Sequence, residues 1–247
     1  MSWTEAKKQI QAIEGLISEK EAKCLYELAK SCGGDIVEIG SWKGKSTVCL
    51  ALGSKAGSKG KVFAIDPHEG IADSCTKLIG PRESTEPIFR ENIKKAGVDG
   101  IVVPLVMKSE EAINKWTKHI SLLWIDGDHE YEGVKKDILL FEPYLKIGSR
   151  ICFHDAFYLL TNSCSGVRKA VDEEIFRSNR FADIHFCDRI VYATKVSGLS
   201  LSRKLFKLPK SLMWHMPPII YSSRRFMAYF LRKIGLLKPV KSIFNIK

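Results

Sequence analysis

Ile10, Ile13 and Ile17 recur at helical spacing, and Ser18 with Glu21 forms a capping-box pattern ahead of Leu25 and Leu28. Residues 8–31 therefore read as helical, stopped by Gly33-Gly34. Beyond them short apolar runs alternate with amphipathic ones. Runs at 35–39, 61–65, 101–107, 122–126 and 150–153 predict strands, and segments 45–55, 85–96, 110–118 and 131–142 predict helices. Pro104 suits an edge strand. Five β-α units of this kind predict an α/β fold with a parallel sheet covered on both faces. After a further helix over 167–176, runs at 182–186 and 190–194 flank Cys187-Asp188-Arg189 and predict an antiparallel hairpin.

The 247 residues suffice for one α/β domain with an appendage, and 45% apolar with 27% charged residues excludes wholesale disorder. Charge divides the chain. Residues 197–247 hold 11 of the 39 Lys/Arg and no Asp or Glu, leaving 28 of each sign in residues 1–196, so the entire excess of +11 lies in the last segment. This predicts a neutral domain over 1–196 and a basic amphipathic tail over 197–247. Seven scattered cysteines with no Cys-x-x-Cys pair argue against a disulfide framework or a zinc ribbon and point to a reducing, cytoplasmic setting. No run approaches the roughly 18–20 apolar residues that span a bilayer.

In open parallel sheets, ligands bind at the carboxyl ends of the strands. The first such end reads Glu38-Ile39-Gly40-Ser41-Trp42-Lys43-Gly44-Lys45-Ser46-Thr47. A phosphate loop would need glycine at 39, and a dinucleotide turn would not place a tryptophan at 42. What remains is an acid two residues before a glycine, with a second glycine four later. Glu38 would repel a polyphosphate and suit a cationic amine, while Asp66, ending the second strand, is placed to accept hydrogen bonds from a ribose diol. The alternative is a tight turn with incidental acids.

The order of elements and the Glu38-x-Gly40-x-x-x-Gly44 turn resemble the class I S-adenosylmethionine-dependent methyltransferases. The segments 36–47, 124–134 (Trp-Ile-Asp-Gly-Asp-His-Glu-Tyr-Glu-Gly-Val) and Phe153-His154-Asp155 are similar to a branch of small-molecule and sugar O-methyltransferases, related to cephalosporin- and macrolide-modifying enzymes. The resemblance covers about residues 10–196. It implies a Rossmann-like, seven-stranded, mostly parallel sheet in the order 3-2-1-4-5-7-6. It also implies S-adenosylmethionine held by Glu38, Gly40, Ser41, Gly44, Ser46, Asp66, Asp126 and His129, with Ser109 or Glu110 beside adenine. Lys108 stands where an acid would be expected.

Asp126, Asp128 and Asp155 fall at the ends of two neighbouring strands, where converging oxygens suit Mg²⁺. Alternatively Asp128 caps the helix at Tyr131 and Asp126 faces the cofactor. A hydroxyl acceptor needs a base. His129, just past the Asp126-Gly127-Asp128 turn, is the first choice and His154 the alternate. The loop 67–84 is either an acceptor lid or a surface loop.

Basic and aromatic residues alternate from Ser222 to Leu237, where Phe226, Met227, Phe230 and Leu231 predict an amphipathic helix. Such a tail suits an anionic membrane surface, or packing in a homo-oligomer, or, least favoured, nucleic acid. The function expected is O-methylation of a small molecule, a sugar or a glycan or glycolipid precursor, at the inner face of a membrane. The rivals are an RNA methyltransferase, a binding module without turnover and a nucleotide-sugar dehydrogenase or epimerase.

Overall fold

A computed structural model describes residues 1–70, 83–157 and 165–198. The N-terminal helical stretch is two helices, α1 (Trp3–Gln11) and α2 (Glu19–Ser31), rather than one. Each begins at a serine whose hydroxyl accepts an amide three residues on, with a glutamate reaching back: Ser2 with Glu5, and Ser18 with Glu21. The second box starts a new helix and so breaks the first. The alternation that follows is β1 (Ile36–Ile39), α3 (Lys45–Ala56), β2 (Val62–Ile65), α4 (Glu86–Lys95), β3 (Val102–Leu105), α5 (Ser109–Ile113), β4 (Ile120–Ile125), α6 (Tyr131–Phe141) and β5 (Leu145–Phe153). α7 (Ser165–Val171) runs into a π-helical turn (Asp172–Phe176), and β6 (Phe181–Cys187) and β7 (Ile190–Lys195) form the hairpin. α5 stops at Ile113, shorter than its pattern implied. Trp116 then turns back to donate its ring N–H to the Lys118 carbonyl, 2.7 Å away.

The sheet order is β3-β2-β1-β4-β5-β7-β6, as the resemblance implied. β1 to β5 run parallel and β7 joins antiparallel to β5 and β6. Pro104 lies in β3, at the sheet edge. Residues 71–82 of the 67–84 loop and the tail beyond Gly198, including its expected helix, lie outside the described residues.

Two hydrophobic layers flank the sheet, and strand alternation decides which side chain joins which. Val37, Ile39, Leu123, Ile125, Ile151 and Phe153 face the layer of α6 and α7. Ile36, Leu122, Trp124 and Cys152 face the layer of α1 to α4. By the same period-two rule Glu38, Asp126 and His154 point toward that second layer, under α2 and α3.

α2 and α3 approach closely. A Cβ on Gly53 would lie 2.3 Å from the Tyr26 carbonyl oxygen. Helix propensity alone would make Gly53→Ala a gain of about 1 kcal/mol. Here the contact reverses the sign, and urea denaturation should show a loss of about 1–3 kcal/mol. A stabilised variant would mean that the helices part without cost.

Candidate active site

The carboxyl ends of the central strands open onto a cavity of about 600 Å³, a volume typical of small-molecule sites. Gly40, Asp66, Ser109, Asp126, His129 and His154 line it. Ser41, Ser46, Glu110, Asp128 and Asp155 reach it as well.

The floor is the turn after β1. Gly40 has φ +87°, and a Cβ there would lie 2.3 Å from the Asp126 carbonyl oxygen, so only glycine passes between β1 and β4 at this point. Asp66 Oδ2 accepts the amides of Ser41 and Trp42, both at 2.7 Å, and its Oδ1 accepts the His68 amide at 2.7 Å. Trp42 is thereby held at φ +44°. Gly44, also left-handed, is the N-cap of α3 and shapes the exit of the turn without lining the cavity.

Glu38 lies elsewhere than expected. It is fully buried beneath the turn, accepting hydrogen bonds from Ser41 Oγ at 3.0 Å and from Thr47 Oγ1. Because β1 turns this side chain toward α3, it braces the loop from behind and does not line the cavity as an ammonium acceptor would. Burial pushes its carboxyl up to about 7, against the lowering effect of the Ser46, Thr47 and Ser41 hydroxyls.

A second group of charges gathers at the ends of β4 and β5. His154 Nδ1 lies 3.1 Å from Asp126 Oδ1 and 3.5 Å from Asp155 Oδ2, and its Nε2 lies 3.6 Å from Glu21 Oε1. Arg189, at the tip of the β6–β7 hairpin, donates from Nη1 to Asp155 Oδ1 at 2.8 Å. It also donates from Nε and its backbone amide to Glu21 Oε1, at 3.2 and 3.0 Å. Burial would raise the Asp126 carboxyl, but His154 and His129 outweigh it and hold it at about 2. For His154 burial favours the neutral ring, and the carboxylates around it win, raising it to about 10. His129 Nε2 sits 3.7 Å from Asp126 Oδ1 and 3.9 Å from Asp155 Oδ2.

Asp126, His154 and Asp155 can bring donor atoms within 4.8 Å of one another. Asp128 is not in that group. Its Oδ1 accepts the Glu130 amide at 2.9 Å, a turn at the start of α6. Near the other end of the cavity Ser109 Oγ donates to Asp137 Oδ1 at 2.6 Å, and Glu110 pairs with Lys136. Asp137 is buried, and burial raises its carboxyl to about 6.

Glu21, Asp137 and Arg189 are site residues that the motifs did not flag. Two of them leave a trace. Glu21 shares the apolar face of Leu25 and Leu28, and Asp137 that of Val134, Ile138 and Phe141, so each is a carboxylate at a core position of a helix.

The sequence profile of a methyltransferase-domain family matches residues 37–156. Among solved structures, the O-methyltransferase of Bacillus cereus in complex with SAH shares 18% identity over 78% of this chain and 90% of its own, with a TM-score of 0.56. The O-methyltransferase NovP shares 18% over 72% and 81%, with a TM-score of 0.58. TomG from Streptomyces achromogenes, an O-methyltransferase involved in tomaymycin synthesis and solved with SAM, shares 13% over 79% and 89%, with a TM-score of 0.55. These likenesses carry the fold.

Glu38 sets a pH dependence. Its folded value of about 7 lies above the ordinary 4.5, so its protonated form contributes stability that is full below pH 4.5 and is lost as pH rises through 7. The loss by pH 8 is about 3 kcal/mol. Glu38→Gln keeps an acceptor for Ser41 and Thr47 but cannot ionise, so the fall in unfolding free energy from pH 5 to pH 8 should flatten by that amount. An unchanged slope would place the titration elsewhere.

Proposed function

We propose that this chain is a class I S-adenosylmethionine-dependent methyltransferase that methylates a hydroxyl of a small-molecule acceptor, a sugar or a glycan or glycolipid precursor; the methyltransferase-domain match over residues 37–156 and the order of the sheet support the reading. One juxtaposition carries this reading: Asp66, Gly40 and Asp126, from the ends of β2, β1 and β4, floor the same cavity that His129 lines.

The residues present fit the cofactor. The turn after β1 keeps no side chain at Gly40, and Asp66 Oδ1 keeps one acceptor site beyond the three amides the carboxylate accepts. Carboxylates at the floor favour a cationic sulfur nucleoside over a polyphosphate. Asp66 would hold the ribose, Ser109 and Asp137 the adenine end, and Asp126 the neighbourhood of the sulfonium. When bound, S-adenosylmethionine supplies an activated methyl group.

The chain's own work is orientation and a proton. A positioned acceptor can gain roughly 7–11 kcal/mol over an unpositioned one. Lys45, Asp128 and Glu130 line the cavity, and such polar walls suit an acceptor rich in hydroxyls. His129 takes the hydroxyl proton, and the imidazolium so formed is stabilised by Asp126 and Asp155, 3.7 and 3.9 Å from its Nε2. His154 is 3% exposed and held among Asp126, Asp155 and Glu21, which makes it a fixed partner of the carboxylates and a poor second base. The acid-free segment 197–247 holds the enzyme against an anionic membrane surface, where lipid-linked acceptors lie.

His129→Gln should lower the release of S-adenosylhomocysteine, measured across a panel of hydroxylated sugars and nucleotide sugars, by about 10²–10⁴. Calorimetry should show its affinity for S-adenosylmethionine unchanged within a few-fold. Full turnover in that variant would remove His129 as the base. The full-length chain should co-sediment with phosphatidylserine vesicles and not with neutral ones; equal behaviour with both would end the membrane assignment.

A further inference from the structure

The charge cluster at the ends of β4 and β5 holds more than a proton relay needs. Asp126, His154 and Asp155 have the spacing of three ligands around one ion. Their surroundings do not suit a dication. Asp155 Oδ1 receives Arg189 Nη1 at 2.8 Å, and Asp126 Oδ1 receives the His154 ring at 3.1 Å. Each candidate carboxylate is therefore engaged by a nitrogen donor before any ion enters. Nor can Arg189 step aside readily. Its Nη2 lies 3.1 Å from Glu21 Oε2, its Nε and backbone amide hold Glu21 Oε1, and its carbonyl accepts the Phe157 amide at 3.3 Å. Glu21 itself is fully buried at the start of α2. Guanidinium stays charged at any pH a protein survives, so this positive charge is permanent.

We propose that Arg189 takes the electrostatic place of a divalent cation in this pocket: it neutralises Asp155 and Glu21 from the β6–β7 hairpin, and the site works without a metal ion. A dication bound between Asp126 and Asp155 would lie beside the guanidinium, and like charges that close repel, most of all beside a buried carboxylate such as Asp155. Asp155 would have to give up Arg189 or ligate through Oδ2 alone. Arg189 is thus a positioning residue, which fixes Asp155 beside His129 and ties the hairpin to α2. The inference rests on the methyltransferase reading for its consequence, which concerns the acceptor. With no ion to chelate, the acceptor is held by hydrogen bonds and need not carry two adjacent oxygens.

The test uses the full chain, stripped with chelator and dialysed. Mn²⁺ is titrated in and followed by the paramagnetic resonance of the free ion, and Mg²⁺ is titrated by calorimetry, each with and without S-adenosylmethionine. The expected result is no saturable binding of either ion below about 1 mM. Arg189→Gln frees Asp155 and should bind Mn²⁺ at least about tenfold more tightly than the wild type, while Arg189→Lys, which keeps the charge, should not. One-to-one binding of Mn²⁺ to the wild type in the micromolar range overturns the proposal. So does a folded Arg189→Gln, checked by circular dichroism, that gains nothing. If Arg189→Gln does not fold, the wild-type titration decides alone. Ion binding is read without turnover, and the calorimetric affinity for S-adenosylmethionine in the same preparation separates a failure here from a failure of the methyltransferase reading.

Discussion

Asp66 accepts the amide hydrogens of Ser41 and Trp42 at 2.7 Å each, and most of the pocket's shape follows from that pair of bonds. The amides belong to a turn leaving β1, while the carboxylate ends β2, so the contact pins the loop of one strand to its parallel neighbour. Charge-assisted bonds of this length are the strong ones. They hold Trp42 in a left-handed conformation that its side chain would otherwise resist. Gly40 makes the arrangement possible by letting the backbone pass within reach of the Asp126 carbonyl. Glu38 then completes the support from below through Ser41 and Thr47. Two carboxylates thus play different parts around one turn: one faces the cavity with capacity to spare, and the other is spent on architecture.

The period of the strands explains why so many charges meet beyond that turn. Leu122 and Trp124 face the α1–α4 layer, so Asp126 emerges on the same side; Cys152 does likewise, and His154 follows. The start of α2 covers this side of the sheet and delivers Glu21, while the hairpin beyond β5 delivers Arg189, 168 residues away along the chain. Burying such a set costs desolvation that the pairing repays only with good geometry, and removing one member would leave the others uncompensated. Stability alone would favour an apolar replacement. The cluster's position at the cavity wall gives the reason to keep it.

The alternation of elements, the sheet order and the strand-end acids were legible in the sequence because each has a short-range signature: period two, period 3.6, a glycine turn, an acid before it. The single long N-terminal helix was a misreading with a visible cause, since the capping box at Ser18 is a start signal and two helices must part to accommodate it. Glu38 shows a subtler limit. Its place at a strand end is local information, but whether it faces the ligand or the helix behind depends on which layer β1 turns it toward. Asp128 is similar: a carboxylate two residues before an amide it can accept is a turn as readily as a ligand. Arg189 was beyond reach, because nothing within the hairpin indicates that its partners lie in α2 and after β5.

The two histidines of the site meet the same two aspartates at different distances. His154 sits 3.1 Å from Asp126 and within 3.6 Å of Asp155 and Glu21, so a proton on its ring is shared among three carboxylates and is costly to remove. A group in that state is a fixed charge. His129 Nε2 lies farther from the same two aspartates, at 3.7 and 3.9 Å. A base must change state during turnover, which a ring held as His154 is does poorly. Arg189 occupies Asp155 Oδ1, and Asp155 Oδ2 faces both rings. The strongest pairings in the pocket therefore supply rigidity.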